Sequence, residues 1–272
     1  MSGGLAASLR ALRKRRSIIL CYHGVAPSTA AEDPDFLRVH PDRFAAQVEM
    51  LRGAGFEFVT AAQLAAGANG GTPPPGLAAL TFDDGMEDNH SVLLPLLREH
   101  ALPATVYVST GLIGKPNPWI AASAGARMMT EDELRELAAG GVEIGAHTVT
   151  HPDMSQLPYE DCLREMADSR AELQRISGQP VRTFAYPFCK YGEPAVRAAR
   201  DAGFDAAVTC HGRGGWMPYE MKRTMITGKD GTPSFVAKLW ELYGPLFDSA
   251  PGKLARASTR GARRQLRSLR ER

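Results

Sequence analysis

No stretch of this sequence has the length and apolarity needed to cross a membrane as a helix. After the basic first residues the apolar run is only Ile18 to Tyr22, too short for the core of a signal peptide. Cysteine is scarce. Cys21, Cys162, Cys189 and Cys210 include no CxxC pair, which argues against a disulfide framework or a structural zinc site and points to a reducing compartment. Internal repeats and low-complexity tracts are absent. Acidic residues are missing from residues 1–16, which hold Arg10, Arg13, Lys14, Arg15 and Arg16. Residues 253–272 hold eight Lys or Arg against Glu271 alone. The two ends therefore carry +5 and +7, and because the whole chain is only +2, residues 17–252 carry −10. An acidic body repels phosphates and argues against nucleic acid as partner. Basic ends suit an anionic membrane surface, so the expectation is a cytoplasmic protein able to sit peripherally on the inner face of the membrane.

What is present is a 272-residue chain, 44% hydrophobic, long enough to bury a large core. Three segments are expected: a basic stretch over 1–16, a catalytic domain over 17–252 and a basic tail over 253–272. Strand patterns at 18–22, 56–59, 77–82, 104–109, 142–146, 182–185, 204–209 and 223–227 alternate with helical ones. The helices include 42–52, a short one capped by Thr60, 89–99 with Pro95 inside it, one opened by the Thr130/Glu133 capping box, 158–176, 193–202 and one starting at Thr232-Pro233. Strand and helix in alternation predict an α/β fold with parallel strands. Because His23, Asp83-Asp84, His147 and Tyr186-Pro187 each follow a different strand, a distorted, incomplete (β/α) barrel of seven to eight parallel strands is favoured over an open sheet, since a barrel gathers those strand ends on one face.

Leu77 to Phe82 reads as a buried strand ending in Asp83-Asp84-Gly85. Adjacent side chains on a strand point to opposite sides, so the two carboxylates are free to take different tasks. By itself Asp-Asp-Gly is ordinary turn chemistry. His147-Thr148-Val149-Thr150-His151 adds two imidazoles four apart, which a helical turn would set on one face. Asp84, His147 and His151 then make a three-ligand metal site with room for a further ligand.

With these residues in view, the chain resembles the polysaccharide deacetylases, the NodB-homology family of carbohydrate esterases. Thr81-Phe82-Asp83-Asp84-Gly85, His147-Thr148-Val149-Thr150-His151 and Phe184-Ala185-Tyr186-Pro187-Phe188 look like the first three motifs of that family, in its order. Leu20-Cys21-Tyr22-His23-Gly24-Val25 looks like the N-terminal motif of the exopolysaccharide-modifying branch. The resemblance implies the barrel fold and hydrolysis of N-acetyl groups on a glycan with a divalent metal, Zn²⁺ first, Co²⁺ or Ni²⁺ as alternatives. It implies Asp83 as general base, Asp84, His147 and His151 as metal ligands, the Phe188 main-chain N–H as oxyanion donor, and His23 as the acid that protonates the leaving amine.

The sequence departs from the family pattern in three places. The third motif often carries an arginine that steadies the base, and here that position is Ala185; Arg223, at the start of a late strand, is the candidate substitute. A fourth motif is not recognisable, and no histidine follows His211 to supply a fifth. The missing late histidine is what points to His23. Cys189 is read as a small apolar filler, and His40, His90, His100 and His211 as structural or solvated. Trp119, Trp216 and Met217 lie in loops that suit either a sugar platform or core packing. Two other functions stay open: hydrolysis of another non-peptide amide on the same scaffold, and glycan binding without turnover.

Overall fold

The structure, a computed structural model, describes residues 3–210 and 216–241; His211 and the basic tail 253–272 lie outside the described residues. Two units are distinguished, the first ending at Asp230 and the second beginning at Gly231.

The chain enters through helix α1 (Gly3–Arg13), whose Leu9 and Leu12 are buried. Strand β1 (Ile18–Tyr22) is buried along its whole length, as a parallel strand covered on both faces must be. Short β2 (Gly24–Val25) and β3 (Arg38–Val39) pair in parallel beside the barrel. Helix α2 (Pro41–Gly53) starts on a proline, which has no N–H to leave unsatisfied there, and His40 Nδ1 accepts the Asp42 N–H. After β4 (Glu57–Val59), helix α3 (Ala61–Ala68) opens with a Thr60/Gln63 capping box. Then come β5 (Leu77–Phe82), α4 (Leu94–Glu99), β6 (Thr105–Val108) and α5 (Glu131–Ala139) behind the Thr130/Glu133 box. Strand β7 (Glu143–Ala146), helix α6 (Tyr159–Ser177), β8 (Thr183–Ala185), α7 (Glu193–Asp201) and β9 (Ala206–Thr209) continue the alternation. Strands β10 (Met221–Lys222) and β11 (Thr224–Met225) end the first unit's sheet, and α8 (Thr232–Leu239) belongs to the second unit.

The sheet runs β10-β9-β8-β7-β6-β5-β1-β11, all parallel, with β4 also on β5. Because β10 and β11 are two halves of one segment, the sheet closes on itself: Met221–Lys222 pair with β9 and Thr224–Met225 with β1. The Arg223 N–H donates to Thr209 O and the Ile226 N–H to Cys21 O across this seam. A barrel joined by one split strand is the distorted (β/α) barrel expected. Its lower mouth is filled by α3. The Ala61 N–H donates to Thr105 Oγ1 and the Ala62 N–H to Glu143 Oε2, while Ala61 and Leu64 pack with Ile19, Ala79 and Tyr107. Outside the barrel Tyr22, Phe44 and Phe82 form an aromatic contact between α2 and the β1–β5 pair.

Three expectations are revised. The helix expected over 89–99 begins as a π-turn (Asn89–Leu93) and becomes α-helical only from Leu94, where Pro95 falls in the first turn and needs no N–H acceptor. The late strand is the split pair over 221–225 rather than a single strand over 223–227. Cys189 is not a lone filler: it is disulfide-bonded to Cys210, with Cα atoms 5.3 Å apart. Twenty-one residues separate the two in sequence, so spacing gave no sign of a pairing that arises because the turn after β8 lies beside the end of β9.

Candidate active site

Parallel register decides which residues meet. Tyr22 stands opposite Phe82, so His23 and Asp83 leave adjacent strands at one level, with the Asp83 N–H donating to Tyr22 O. Val108 stands opposite Ala146, and Ala146 opposite Phe184. These strand ends open into one cavity of about 310 Å³, which His23, Asp83, Asp84, His147, His151 and Phe188 all line.

At its floor, Asp84 Oδ1 lies 3.4 Å from His147 Nε2 and 3.3 Å from His151 Nε2. The three donor atoms fall within 4.8 Å of one another. Their chemistry fits a divalent ion. The His147 Nδ1–H donates to Ala185 O at 2.7 Å, which fixes the ring with Nε2 facing Asp84. Burial opposes the Asp84 charge, but the hydrogen bonds from His147 and His151 outweigh it and hold the carboxyl well below its usual range. Burial likewise disfavours the charged form of His151 and leaves it below the ordinary histidine range, whereas at His147 the same burial is outweighed by Asp84 and that imidazole is held above it.

The two histidines meet without a helix between them. His147 closes β7, and a tight turn with Thr148 and His151 both in the left-handed region (φ 69° and 60°) brings the second imidazole back. Such backbone persists only where its surroundings hold it. Glu165 on α6 accepts the Val149 and Thr150 N–H groups at 2.8 and 2.9 Å. Thr110 and Gly111 donate to the Thr148 and Val149 carbonyls, and a Cβ at Gly111 would sit 2.5 Å from Val149 O.

Asp83 makes no contact of this kind. Both its oxygens face Arg223, at 2.6 Å (Oδ1 to Nη1) and 2.7 Å (Oδ2 to Nη2). The guanidinium is fully buried and also donates to Thr81 Oγ1. Burial alone would raise the Asp83 carboxyl; Arg223 first, then His147, reverse this and hold it below its ordinary value. On the other side the Cys21 thiol lies 3.5 Å from Asp83 Oδ2, and burial pushes that thiol well up, so it stays a neutral donor.

His23 borders the cavity together with both aspartates. Phe188 has φ 55° and Cys189 φ 56°, and the N–H groups of Cys189 and Lys190 are committed to the Tyr186 and Pro187 carbonyls. The rings of Trp119 and Phe188 flank His151 at centroid distances of 4.8 and 4.6 Å. Of the loop aromatics left open by sequence, Trp119 is thus at the site, whereas Trp216 borders a separate cavity beside α3. Asp35, Leu37 and Met225 also line the catalytic cavity. Sequence patterns did not mark them, because they come from a loop and a strand edge without motif spacing. His40, His90 and His100 stand elsewhere, near Asp42, Glu136 and Glu49 respectively.

The polysaccharide deacetylase family profile matches residues 70–207. The Bacillus subtilis protein YxkH is 27% identical over 192 residues, covering 70% of this chain and 63% of YxkH. The chitin deacetylase of Colletotrichum lindemuthianum is 30% identical over 156 residues, 57% of this chain and 53% of that enzyme. The chain thus spans less than two thirds of these curated relatives. The structure of IcaB from Ammonifex degensii superposes with a TM-score of 0.68 at 25% identity, covering 82% of this chain and 97% of IcaB.

Proposed function

The chain belongs to the polysaccharide deacetylase family, and from that premise we propose that it hydrolyses N-acetyl groups on an N-acetylated glycan. The observation that carries the proposal is one cavity holding a three-donor cluster, a second carboxylate that is not part of it, and a histidine. The relative from Colletotrichum lindemuthianum is named for chitin, which supports N-acetylglucosamine polymers as the substrate class.

Amide hydrolysis needs an activated water, a stabilised oxyanion and a protonated leaving amine. Asp84, His147 and His151 would hold a divalent ion, with Zn²⁺ favoured by the nitrogen and oxygen donors and Co²⁺ or Ni²⁺ compatible with them. Bound there, such an ion lowers the pKa of a water and polarises the acetyl carbonyl. Asp83, charged and held by Arg223, takes the proton of the attacking water. The Phe188 N–H donates to the developing oxyanion. His23 gives its proton to the amine nitrogen as the C–N bond breaks, so acetate and a free amine leave. Trp119 and Phe188 offer aromatic faces beside His151 to the sugar ring.

Basic residues of α1 support contact with an anionic membrane by charge alone. Arg10 in the helix and Lys14 just after it are exposed, while Leu9 and Leu12 are already packed inward and cannot enter lipid. Binding to anionic vesicles should therefore vanish at high salt. The Cys189–Cys210 bond supports an oxidising compartment, against the reducing one inferred from cysteine spacing. A thiol count on protein taken directly from cells tests this.

Acetate release from N-acetylglucosamine oligomers, with chelation and metal add-back, tests the activity. Asp83→Asn should keep the metal and lose about 10²–10⁴-fold in rate. Asp84→Asn should lose the metal as well. Equal metal loss in both would remove Asp83 from the base role.

A further inference from the structure

His23 lines the cavity beside Asp83 and Asp84. Among the described residues its Nδ1 is buried and has no hydrogen-bond partner. The main chain that carries the ring, by contrast, is anchored from the turn after β5. The Asn89 side chain donates from Nδ2 to His23 O at 2.9 Å. The same nitrogen lies 3.3 Å from Asp88 Oδ1, which accepts the Val25 N–H at 3.1 Å. Asp88 Oδ2 accepts from Arg38 Nε at 2.8 Å. Asp88 is 3% exposed and Asn89 fully buried.

Two details indicate that this arrangement is built rather than incidental. Asn89 puts both acceptors on its nitrogen and, among the described residues, leaves its own Oδ1 buried without a partner, an arrangement that costs stability. Gly24, next to His23, lies against the pair so closely that a Cβ would stand 2.8 Å from Arg38 Cγ and 2.9 Å from Asp88 Oδ1. The segment that begins with Asp83 and Asp84 ends, five residues later, in the anchor for His23. One short stretch thus sets the base and the metal ligand at one wall of the cavity and the proton donor at another.

We propose that Asn89 and Asp88 are positioning residues for His23, fixing its distance from the cluster through the backbone of residues 23–25. The inference rests on His23 being the proton donor to the leaving amine. A proton donor matters for an amide and not for an aryl ester, whose phenolate leaves without protonation. The two substrates therefore separate damage to His23 from damage to the rest of the site.

The experiment compares Asn89→Ala, Asp88→Asn, His23→Ala and Asn89→Ala/His23→Ala on an N-acetylglucosamine oligomer and on 4-nitrophenyl acetate, with metal content and thermal unfolding measured on each. Asn89→Ala should lower amide turnover on the order of 10²-fold, the effect of a misplacement near 1 Å, while ester turnover and metal content hold. The double variant should lose nothing beyond His23→Ala, since both changes remove one function. Asp88→Asn keeps the side chain's shape and should show the same selective pattern, which covers the case that Asn89→Ala folds poorly. The proposal is overturned if the Asn89 and Asp88 variants lower both substrates equally, leave amide turnover intact, or add their full loss to that of His23→Ala. If His23→Ala itself leaves amide turnover intact, the acid assignment falls and the positioning role with it. A selective His23→Ala beside an unaffected Asn89→Ala overturns the positioning role alone.

Discussion

Arg223 and Asp83 share two hydrogen bonds in a place where both are buried. Each charge costs several kcal/mol to bury, and only the bidentate fit, with Thr81 taking a further donor, recovers it. Removing one partner leaves the other charge alone, which typically costs about 3–5 kcal/mol. The sign of the pH effect follows from the same pair. With Arg223 present the Asp83 carboxyl lies below its ordinary value, so its stabilising contribution is complete above the usual carboxylate range and is lost as pH falls through the depressed folded value. In Arg223→Met the upward push of burial loses its main opponent. The acidic limb of the pH–rate profile should then move to higher pH, with metal content unchanged. Arg223→Lys keeps the charge but not the fork and should shift the limb less. An acidic limb that stays in place in Arg223→Met would detach Asp83 from the rate.

Two elements outside the sheet carry their own expectations. The turn after β8 holds two successive non-glycine residues at positive φ, and the Cys189–Cys210 bond and the hydrogen bond from Thr209 Oγ1 to Cys189 O restrain it. A loop of this size is worth about 3 kcal/mol in the chain-entropy account. Cys210→Ser should lower stability by about that amount and slow acetate release without loss of metal, because the Phe188 N–H is displaced while the ligands are not. Denatured, unreduced protein should show two thiols, Cys21 and Cys162. At α5, Glu133 closes the capping box and pairs with Arg127 at 2.5 Å. The hydrogen bond from Arg127 leads in pulling its carboxyl from 4.5 to about 2, so this support is present above pH 4.5 and is lost as pH falls through about 2. Glu133→Gln should reduce Tm at neutral pH, and the gap should close toward pH 2.

At the scale of the molecule, the three-donor cluster joins distant parts of the chain. Asp84 follows β5, whereas His147 and His151 follow β7, on the far side of β6. An ion bound to all three is bound only by the folded barrel. At a thousandfold excess over Kd it adds about 4 kcal/mol, on the order of 10 °C in Tm. Chelation should lower Tm by that order and zinc should restore it, while His147→Ala should be insensitive to both. A chelator-insensitive parent protein would mean that the three residues do not hold an ion.

The sequence by itself determined the strand–helix alternation, the capped helices at Thr60 and Thr130 and the cluster Asp84, His147 and His151, because these follow from local spacing and from short motifs at strand ends. Only the tertiary structure decided what lies far apart in the chain. Arg223 reaches Asp83 across 140 residues because one segment splits between β9 and β1 and aims its middle side chain into the barrel. Cys189 finds Cys210 because β8 and β9 are neighbours. Asn89 holds His23 because the turn after β5 folds back over the end of β1. Hydrophobic periodicity marks which face of an element is buried, but it carries no information about which strand lies beside which. Parallel pairing and register supply that, and with them every contact that tunes the site.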